Sequence, residues 1–262
     1  MLVDSHCHLD FPKLAEDRAG VLARADEAGV KVMQTIGTKL STFPDILTIA
    51  EQHPNVWCSI GVHPHHADQE GPDGPDALLK YTDHPKVVGI GEAGLDYHYN
   101  NSTPENQARS FRAQIDASRT SGLPLIVHTR SADEDTLQIM RKELAKGHYE
   151  AVIHCYSSSA ELGFAAIDLG FYIGLGGMLT FNRSDEIRET VKKIPLDRLL
   201  LETDAPYLTP APFRKIKTNE PCYIPHIAAK LAEVKGVDLA KVEQVTTDNF
   251  FRLFNKAKRP NA

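Results

Sequence analysis

Six side chains that commonly bind metal ions stand at the ends of short apolar runs in this chain. His6 and His8 are two residues apart, so in a strand their side chains point to the same side. Two imidazole groups on one side of a strand can share one divalent cation. The other members of the set, which follow other apolar runs, are Glu92, His128, His154 and Asp204. Histidine and carboxylate groups in this number predict a metal centre with hydrolytic chemistry.

The size of the set indicates more than one cation. A zinc ion in a protein usually takes about four ligands, whereas the set offers six groups. Burial of these groups without a cation would leave unpaired polar atoms, which is unfavourable. We therefore predict two divalent cations that share a carboxylate, an arrangement suited to displacement at phosphorus or at an acyl carbon. The candidate ions are Mg, Mn and Zn, and imidazole ligands favour Zn or Mn over Mg.

The predicted secondary structure alternates between strands and helices. Eight runs rich in Val, Ile and Leu predict strands, and several lack polar alternation, as strands buried on both faces do. The predicted strands are residues 2–6, 30–36, 56–62, 87–92, 125–128, 151–154, 171–175 and 199–202. The predicted helices are residues 13–29, 104–121, 132–146, 160–169 and 184–193, followed by two helices within 225–254 that are separated near Gly236.

Repeated strand–helix units favour parallel strands joined by right-handed crossovers. Eight such units close into a barrel, and the 262 residues are about the length that this fold needs. We predict an α/β fold, a single (β/α)8 TIM barrel of the metal-dependent hydrolase type, with one domain over residues 1–262. The carboxyl ends of the strands meet on one face of such a barrel, so the six groups would become neighbours there.

Charge and cysteine content disfavour several broad classes of protein. The net charge is −6, from 29 basic and 35 acidic residues, so a polyanionic substrate would need local groups or metal ions to hold it. The four cysteines are scattered without a CxxC pair, which favours free thiols in a reducing compartment. No signal sequence or membrane span is recognisable. We predict a cytoplasmic monomer with no membrane association and no obligate protein partner.

Eight short motifs occur in a fixed order along nearly the whole chain. They are Asp-Ser-His-Cys-His-Leu-Asp at residues 4–10, Gly-Val-His-Pro-His at 61–65, Gly-Ile-Gly-Glu-Ala-Gly-Leu-Asp-Tyr at 89–97, Val-His-Thr-Arg at 127–130, His-Cys-Tyr-Ser at 154–157, Leu-Glu-Thr-Asp-Ala-Pro-Tyr-Leu at 201–208, Asn-Glu-Pro at 219–221 and Thr-Thr-Asp-Asn at 246–249. Together they closely resemble the motifs of the TatD family of metal-dependent deoxyribonucleases, within the amidohydrolase superfamily.

The resemblance implies a role for each of the six groups. His6 and His8 match the histidines that bind the family's first metal ion. His128 and His154 match those that bind the second. Asp204 matches a further ligand of the first ion, and Glu92 matches the carboxylate that bridges both ions. The family cleaves phosphodiester bonds in DNA, usually as a Mg-supported 3′-to-5′ exonuclease on single strands. We accordingly predict Glu92 and Asp204 as catalytic residues that act on single-stranded DNA ends, with Asp204 orienting the attacking water and taking its proton.

Three further residues are predicted to contact the substrate. Arg130 and Arg214 could each bind a phosphate through paired hydrogen bonds, although Arg130 could instead form a salt bridge at the barrel rim. His63 could donate to the substrate or support a ligand, or it could bond only within its loop. Residues 214–218 lack the family's usual glycine before the Asn-Glu-Pro motif, and Ser158 replaces another family glycine. Both departures lie in loops and leave substrate choice open.

Four other side chains near the predicted barrel mouth have two interpretations each. Tyr97, Tyr99 and Tyr156 could stack on nucleobases, or they could simply pack against the rim. Asp96 could contact the metal ligands, or it could cap a turn.

An alternative function is that of an amidohydrolase acting on a small ester, amide or phosphoester. The superfamily resemblance permits it, and the acidic net charge fits a small substrate. A carbamylated lysine often bridges the metals in those relatives, so Glu92 at the end of the fourth predicted strand favours the deoxyribonuclease. A non-catalytic binding protein is disfavoured because every metal-ligand position of the family has a matching residue in this chain.

Overall fold

Eight parallel strands form one sheet, and their order in the sheet is their order in the sequence. The computed structural model describes residues 1–260, so the last two residues of the predicted domain lie outside the described part. The strands are β1 Leu2–Cys7, β2 Val30–Ile36, β3 Val56–Ile60, β4 Val87–Asp96, β5 Leu125–Arg130, β6 Ala151–Ile153, β7 Tyr172–Leu175 and β8 Leu199–Leu201. All eight predicted strands are therefore present, and β4 extends to Asp96, beyond its predicted end.

The sheet nearly closes on itself through contacts between its first and last strands. Cys7 of β1 forms a parallel bridge with Ala205, which follows β8. The backbone N–H of Asp204 donates to the carbonyl of His6 at 2.9 Å, and that of His8 donates to the carbonyl of Ala205 at 2.8 Å. This barrel of eight parallel strands with surrounding helices is the TIM-barrel fold, which confirms the predicted fold class. That the chain is a single domain stays a prediction.

Helices lie between successive strands, and two more follow β8. They are α1 Pro12–Ala15, α2 Arg18–Glu27, α3 Phe43–Gln52, α4 Ala67–Glu70, α5 Asp76–Thr82, α6 Pro104–Ser121, α7 Asp133–Leu144, α8 Ala160–Asp168, α9 Asp185–Lys193, α10 Ile224–Lys235 and α11 Leu239–Leu253. Local sequence sets the bounds of α6: Thr103 accepts from the N–H of Asn106, Pro104 opens the first turn, and Gly122 ends the helix with φ of 73°. Within residues 1–260, none of these helices is long and apolar enough to cross a membrane.

The predicted helices differ from the observed ones in two places. The single helix predicted over residues 13–29 was wrong, because Asp17 leaves the helical conformation (φ −133°, ψ 42°) and separates α1 from α2. The prediction also lacks α3, α4 and α5. Of these, α3 buries Phe43, Ile46 and Ile49 at helical spacing, whereas α4 and α5 have only four and seven residues, too few for a periodic pattern to stand out.

Apolar side chains form two clusters, one of which takes residues from every strand and from α11. In this cluster Val32 and Trp57 pack with Phe250 and Phe254. Asn249 of α11 also donates to carbonyl groups at the start of β8, so α11 covers the amino-terminal end of the barrel. The carboxyl ends of the strands are left accessible to a substrate. Cys7 is fully buried in the other cluster, where it packs among strand and helix residues.

Lysine ammonium groups cap the carboxyl ends of three helices. Lys235 of α10 reaches the end of α9, where it donates to three carbonyl oxygens at 3.3, 2.9 and 2.6 Å, those of Val191, Lys192 and Ile194. Lys86 and Lys256 likewise donate to backbone carbonyl oxygens, at the ends of α3 and α5 respectively. A positive charge at this position satisfies carbonyls that have no partner within the helix and opposes the negative end of its dipole. These contacts tie each helix to a later part of the chain.

Lys235→Met should therefore destabilise the barrel while keeping most of the apolar stem. We expect the free energy of unfolding to fall by about 1–2 kcal/mol, since three charge-assisted hydrogen bonds are lost and the carbonyls regain only water. Urea denaturation followed by circular dichroism measures the change. Lys241→Met, at an exposed position of α11, is the matched control and should change stability by less than about 0.5 kcal/mol. Equal effects of the two substitutions would contradict the capping role.

Candidate metal centre

The six predicted metal ligands meet at the carboxyl ends of the strands. A pocket of about 650 Å³ opens there, and five of the six residues line it. The sixth, His6, is fully buried and stacks on the ring of His154 with 3.9 Å between the ring centroids. Residues from five strands or the turns after them are thus brought together, as predicted. Their role as metal ligands stays a prediction at this point.

The carboxylate of Glu92 lies between two pairs of histidines. Its Oε1 is 2.8 Å from both His128 Nδ1 and His154 Nε2. Its Oε2 is 3.4 Å from His6 Nε2 and 3.9 Å from His8 Nε2. Burial alone would raise the pKa of Glu92, but the surrounding imidazoles, that of His154 first among them, hold this pKa well below its usual value. Glu92 is therefore an ionised carboxylate with one oxygen toward each pair.

Asp204 stands on the side of the pocket formed by β1. Its Oδ1 is 3.4 Å from His8 Nε2 and 3.6 Å from His6 Nε2. Its φ of 55° is in the left-handed region, which aspartate tolerates better than most residues. The buried carboxylate of Asp4 accepts from the N–H of Thr203 at 2.9 Å and from its hydroxyl at 2.5 Å. Asp4 thus links β1 to the turn that presents Asp204 to the pocket.

Glu202 is a buried carboxylate of this centre that the sequence analysis missed. Its side chain is 1% exposed, and its Oε1 is 3.5 Å from His154 Nδ1. With His6 and His154 it forms a group whose ligand atoms are close enough to share a cation. Its position could have identified it, because Glu202 directly follows β8, at the carboxyl end of the strands where the other ligands lie. Gly174 of β7 leaves room for it, since a Cβ at that position would collide with the carboxylate.

Asp96, at the end of β4, orients the ring of His128. Its Oδ1 accepts two backbone N–H groups of the following turn at 2.9 and 3.0 Å. Its Oδ2 is thereby held 2.9 Å from His65 Nε2 and 3.3 Å from His128 Nε2. A proton on Nε2 of His128 suits this contact, which leaves the lone pair of Nδ1 directed toward Glu92. Both interpretations of Asp96 therefore hold, since it caps a turn and contacts a predicted ligand.

His63 lies in the centre, but its contacts suit a hydrogen-bond donor rather than a metal ligand. Its Nδ1 accepts the backbone N–H of His65 at 3.1 Å, and its Nε2 is 3.3 Å from Glu92 Oε1. Burial lowers the pKa of His63 to about 4, so the ring is neutral and carries one proton. Because Nδ1 is an acceptor, that proton is on Nε2. His63 therefore presents an N–H group to Glu92, and its contact with substrate stays a prediction.

The two arginines predicted to contact substrate occupy different places. Arg130 lines the pocket with its guanidinium 4.7 Å from the centre of the Tyr99 ring, and it forms no ion pair with any carboxylate of residues 1–260. The rim salt bridge considered as its alternative is thus not found in the described chain. Arg214 is not one of the pocket-lining residues, because its guanidinium lies 3.5 Å from the centre of the Phe181 ring and donates to the carbonyl of Thr209. Substrate binding by either arginine stays a prediction.

The three tyrosines named above also separate. Tyr156 is buried, and its hydroxyl donates to the carbonyl of Ser159, so it is a packing residue. Tyr97 donates to the carboxylate of Asp135 at 2.8 Å. Tyr99 alone of the three lines the pocket, with 53% of its surface exposed.

The charges and unpaired atoms of this centre fit metal ions. Four buried or half-buried carboxylates stand here without a lysine or arginine partner in the described chain; they are Glu92, Asp96, Glu202 and Asp204. Both ring nitrogens of His6 and Nδ1 of His8 are buried without a hydrogen-bond partner among residues 1–260. Uncompensated charges and unpaired polar atoms are unfavourable in a protein interior. Divalent cations held by the imidazole and carboxylate groups would remove both problems.

A match to a known family accompanies this geometry. Residues 3–255 match the family model described as TatD related DNase. The chain belongs to this family. The resemblance inferred from the motifs is thereby confirmed, and the protein is a TatD-family metal-dependent hydrolase with buried histidine and glutamate clusters able to bind metal.

Relatives share almost the full length of this TatD-family chain. The uncharacterized metal-dependent hydrolase YcfH of Escherichia coli K12 is 40% identical over 257 residues, which cover 97% of this chain and 96% of YcfH. The 3′-5′ ssDNA/RNA exonuclease TatD of Salmonella typhimurium LT2 is 37% identical over 257 residues, covering 97% and 98%. The crystal structure of YjjV, a TatD homolog from Escherichia coli K12, is similar with a TM-score of 0.89 and 29% identity, covering 97% and 98%.

Asp96→Asn tests the orientation of His128. We expect metal affinity to fall about 10- to 100-fold, because an amide at this position can no longer require the proton of His128 to be on Nε2. Calorimetric titration of metal-free protein with Zn²⁺ or Mn²⁺ measures the affinity. Asp68→Asn is the matched control, since Asp68 caps the start of α6 by accepting from Thr103 and does not line the pocket. If Asp96→Asn bound metal as tightly as this control, the orienting role would be refuted.

Proposed function

We propose that this protein is a TatD-type deoxyribonuclease that hydrolyses phosphodiester bonds at single-stranded DNA ends with two divalent cations. The observation that carries the proposal is the position of Glu92, whose two carboxylate oxygens face separate histidine pairs. A carboxylate placed in this way suits a bridge between two cations, and paired cations are typical of enzymes that displace an oxygen at phosphorus.

The proposed ligands fall into two sets that share Glu92. The first set combines its Oε2 with His6, His8 and Asp204, which surround one side of the carboxylate. The second set combines its Oε1 with His128 and His154 on the other side. Glu202, beside His154, is either a further ligand of a cation near His6 or a partner that orients the imidazole of His154. The identity of the ions, Mg, Mn or Zn, is left to experiment.

The reaction divides among a few side chains. When bound, the cations would lower the pKa of a water to about 7 and polarise the phosphodiester. Asp204 accepts a proton from the attacking water and orients it, since its carboxylate is 15% exposed and faces the pocket. The water oxygen bonds to phosphorus, the bond to the 3′ oxygen of the next nucleoside breaks, and that oxygen takes a proton from solvent. We expect the Nε2–H of His63, which faces Glu92 Oε1 at 3.3 Å, to donate to a phosphate oxygen of the bound substrate.

Pocket size and a relative's activity support a DNA end as the substrate. A pocket of about 650 Å³ has the volume of a small-ligand site, so it could admit the end of one strand but not a duplex. The Salmonella typhimurium relative is named a 3′-5′ ssDNA/RNA exonuclease. A strand end would enter until its last phosphodiester reached the histidines.

A small ester, amide or phosphoester is the alternative substrate. Arg130 is the only lysine or arginine among the pocket-lining residues of the described chain, and the net charge is −6. A long polyanion would gain little from such a surface. Under this alternative the same histidines and carboxylates would act on an uncharged or singly charged molecule.

Metal removal and replacement should decide between these substrates. We expect chelator-treated protein to be inactive, and reloading with Mg²⁺, Mn²⁺ or Zn²⁺ to restore nucleotide release from end-labelled single-stranded DNA. Electrophoresis of the products measures release and its direction. Metal-restored turnover of small esters with no release from DNA would refute the deoxyribonuclease and favour the alternative.

Glu92→Ala and Asp204→Ala should each lower turnover more than about a hundredfold while the protein stays folded. The losses follow from removing the shared carboxylate in one variant and the proton acceptor in the other. Nuclease assays, run beside circular dichroism spectra, measure both properties, and the inactive variants also exclude contaminating nucleases. Activity retained in both variants would contradict the proposed roles of Glu92 and Asp204. Asp68→Asn, outside the pocket, serves again as the control and should be fully active.

A further inference from the structure

We infer that two aromatic rows at the pocket mouth bind the two nucleobases on either side of the scissile phosphate. The apolar row consists of Phe11 and Tyr207. The basic row consists of His65, Tyr99 and Arg130. All five residues line the pocket that holds the histidines and carboxylates. The inference rests on the proposed function, and it adds which substrate parts the mouth recognises.

The apolar row begins at a predicted metal ligand. The ring of Phe11 stacks on that of His8, with 4.4 Å between centroids and an interplanar angle of 18°. Tyr207 continues the row, with its centroid 6.1 Å from that of Phe11 and its plane at 82°. Tyr207 is 51% exposed. The row thus runs from the centre of the pocket to solvent.

The basic row also runs from the histidines of the pocket to solvent, but it starts at His63. The rings of His63 and His65 lie edge to face with 4.3 Å between centroids, and His65 meets Tyr99 at 5.3 Å and 87°. The guanidinium of Arg130 lies 4.7 Å from the centre of the Tyr99 ring. Asp96 holds His65 in place at 2.9 Å, so this row is braced from within the barrel.

The exposure of the two tyrosines indicates a ligand. In the described chain only six large apolar or aromatic side chains are strongly exposed; they are Met1, Tyr99, Phe164, Tyr207, Ile216 and Leu239. Both tyrosines of this group line the same pocket. Exposed aromatic rings beside a hydrolytic centre can stack on nucleobases, which tolerate this contact whatever their sequence.

The positive charge of Arg130 determines which row faces the retained part of the DNA strand. A phosphodiester at the histidine centre has one nucleoside on each side, and only the retained strand carries further phosphates. Arg130 has no carboxylate partner in the described chain, so it can pair with the next phosphate of that strand. The basic row therefore takes the penultimate base, and the apolar row takes the terminal base that leaves.

Substrates that lack one base test this assignment directly. Three end-labelled single-stranded oligonucleotides are compared: one complete, one abasic at the 3′-terminal position and one abasic at the penultimate position. We expect Tyr207→Leu to lower kcat/KM on the complete strand about 5- to 100-fold, with no loss on the strand that lacks the terminal base. Tyr99→Leu should show the same dependence on the penultimate base. The coupling between each residue and its base is what a merely structural role would not produce.

Conservative and distant variants complete the experiment. Tyr99→Phe and Tyr207→Phe keep the ring, so each should retain the dependence on its own base that the Leu variant loses. Phe164→Leu removes an exposed ring of α8 outside the pocket and should leave all three substrates unaffected. Losses that are equal on complete and abasic strands, or a coupling of each tyrosine to the opposite base, would overturn the inference. No cleavage of any oligonucleotide by the unmodified protein would instead refute the proposed function.

Discussion

Negative charge held in a nearly enclosed space is the constraint on which this site depends. Glu92 is 3% exposed and Glu202 is 1% exposed, yet neither meets a lysine or arginine in the described chain. A folded protein tolerates such charges only when something positive neutralises them. The imidazoles can bind cations through their lone pairs, and bound cations would neutralise this charge. The buried charge of this centre therefore lowers the stability of the fold when no cation is bound.

The barrel gives two histidines of this centre, His63 and His128, a fixed neighbour each. Asp96 faces His128, and the backbone N–H of His65 occupies one nitrogen of His63. These contacts decide which nitrogen carries a proton, and so which imidazoles offer a lone pair and which offer an N–H group. Similar histidines in one pocket can thus have different chemical roles. The neighbour of His128 comes from the end of the adjacent strand β4, whereas the neighbour of His63 lies two residues farther along the same turn.

The sequence predicted the fold and the location of the site because both depend on simple patterns. Eight apolar runs, five of which end beside a predicted ligand, are enough to predict where His6, Glu92 and Asp204 meet. The finer chemistry depended on distances that no spacing reveals. Nothing in the sequence tells that the Arg214 loop turns its guanidinium onto Phe181 rather than into the pocket. Glu202 was missed although its place at the carboxyl end of the predicted strand 199–202 could have indicated it.

The contacts that close the barrel join the part of the chain that is synthesised first to a part that is synthesised late. His6 and His8 come from the first strand, whereas Asp204 follows the eighth and bonds to the backbone of His6. A ribosome-bound nascent chain that ends before the eighth strand lacks this side of the site, whatever part of the barrel it has formed. Under the proposed function, a truncated or prematurely released product without Asp204 would be inactive. Such late assembly would then confine DNA cleavage to finished molecules.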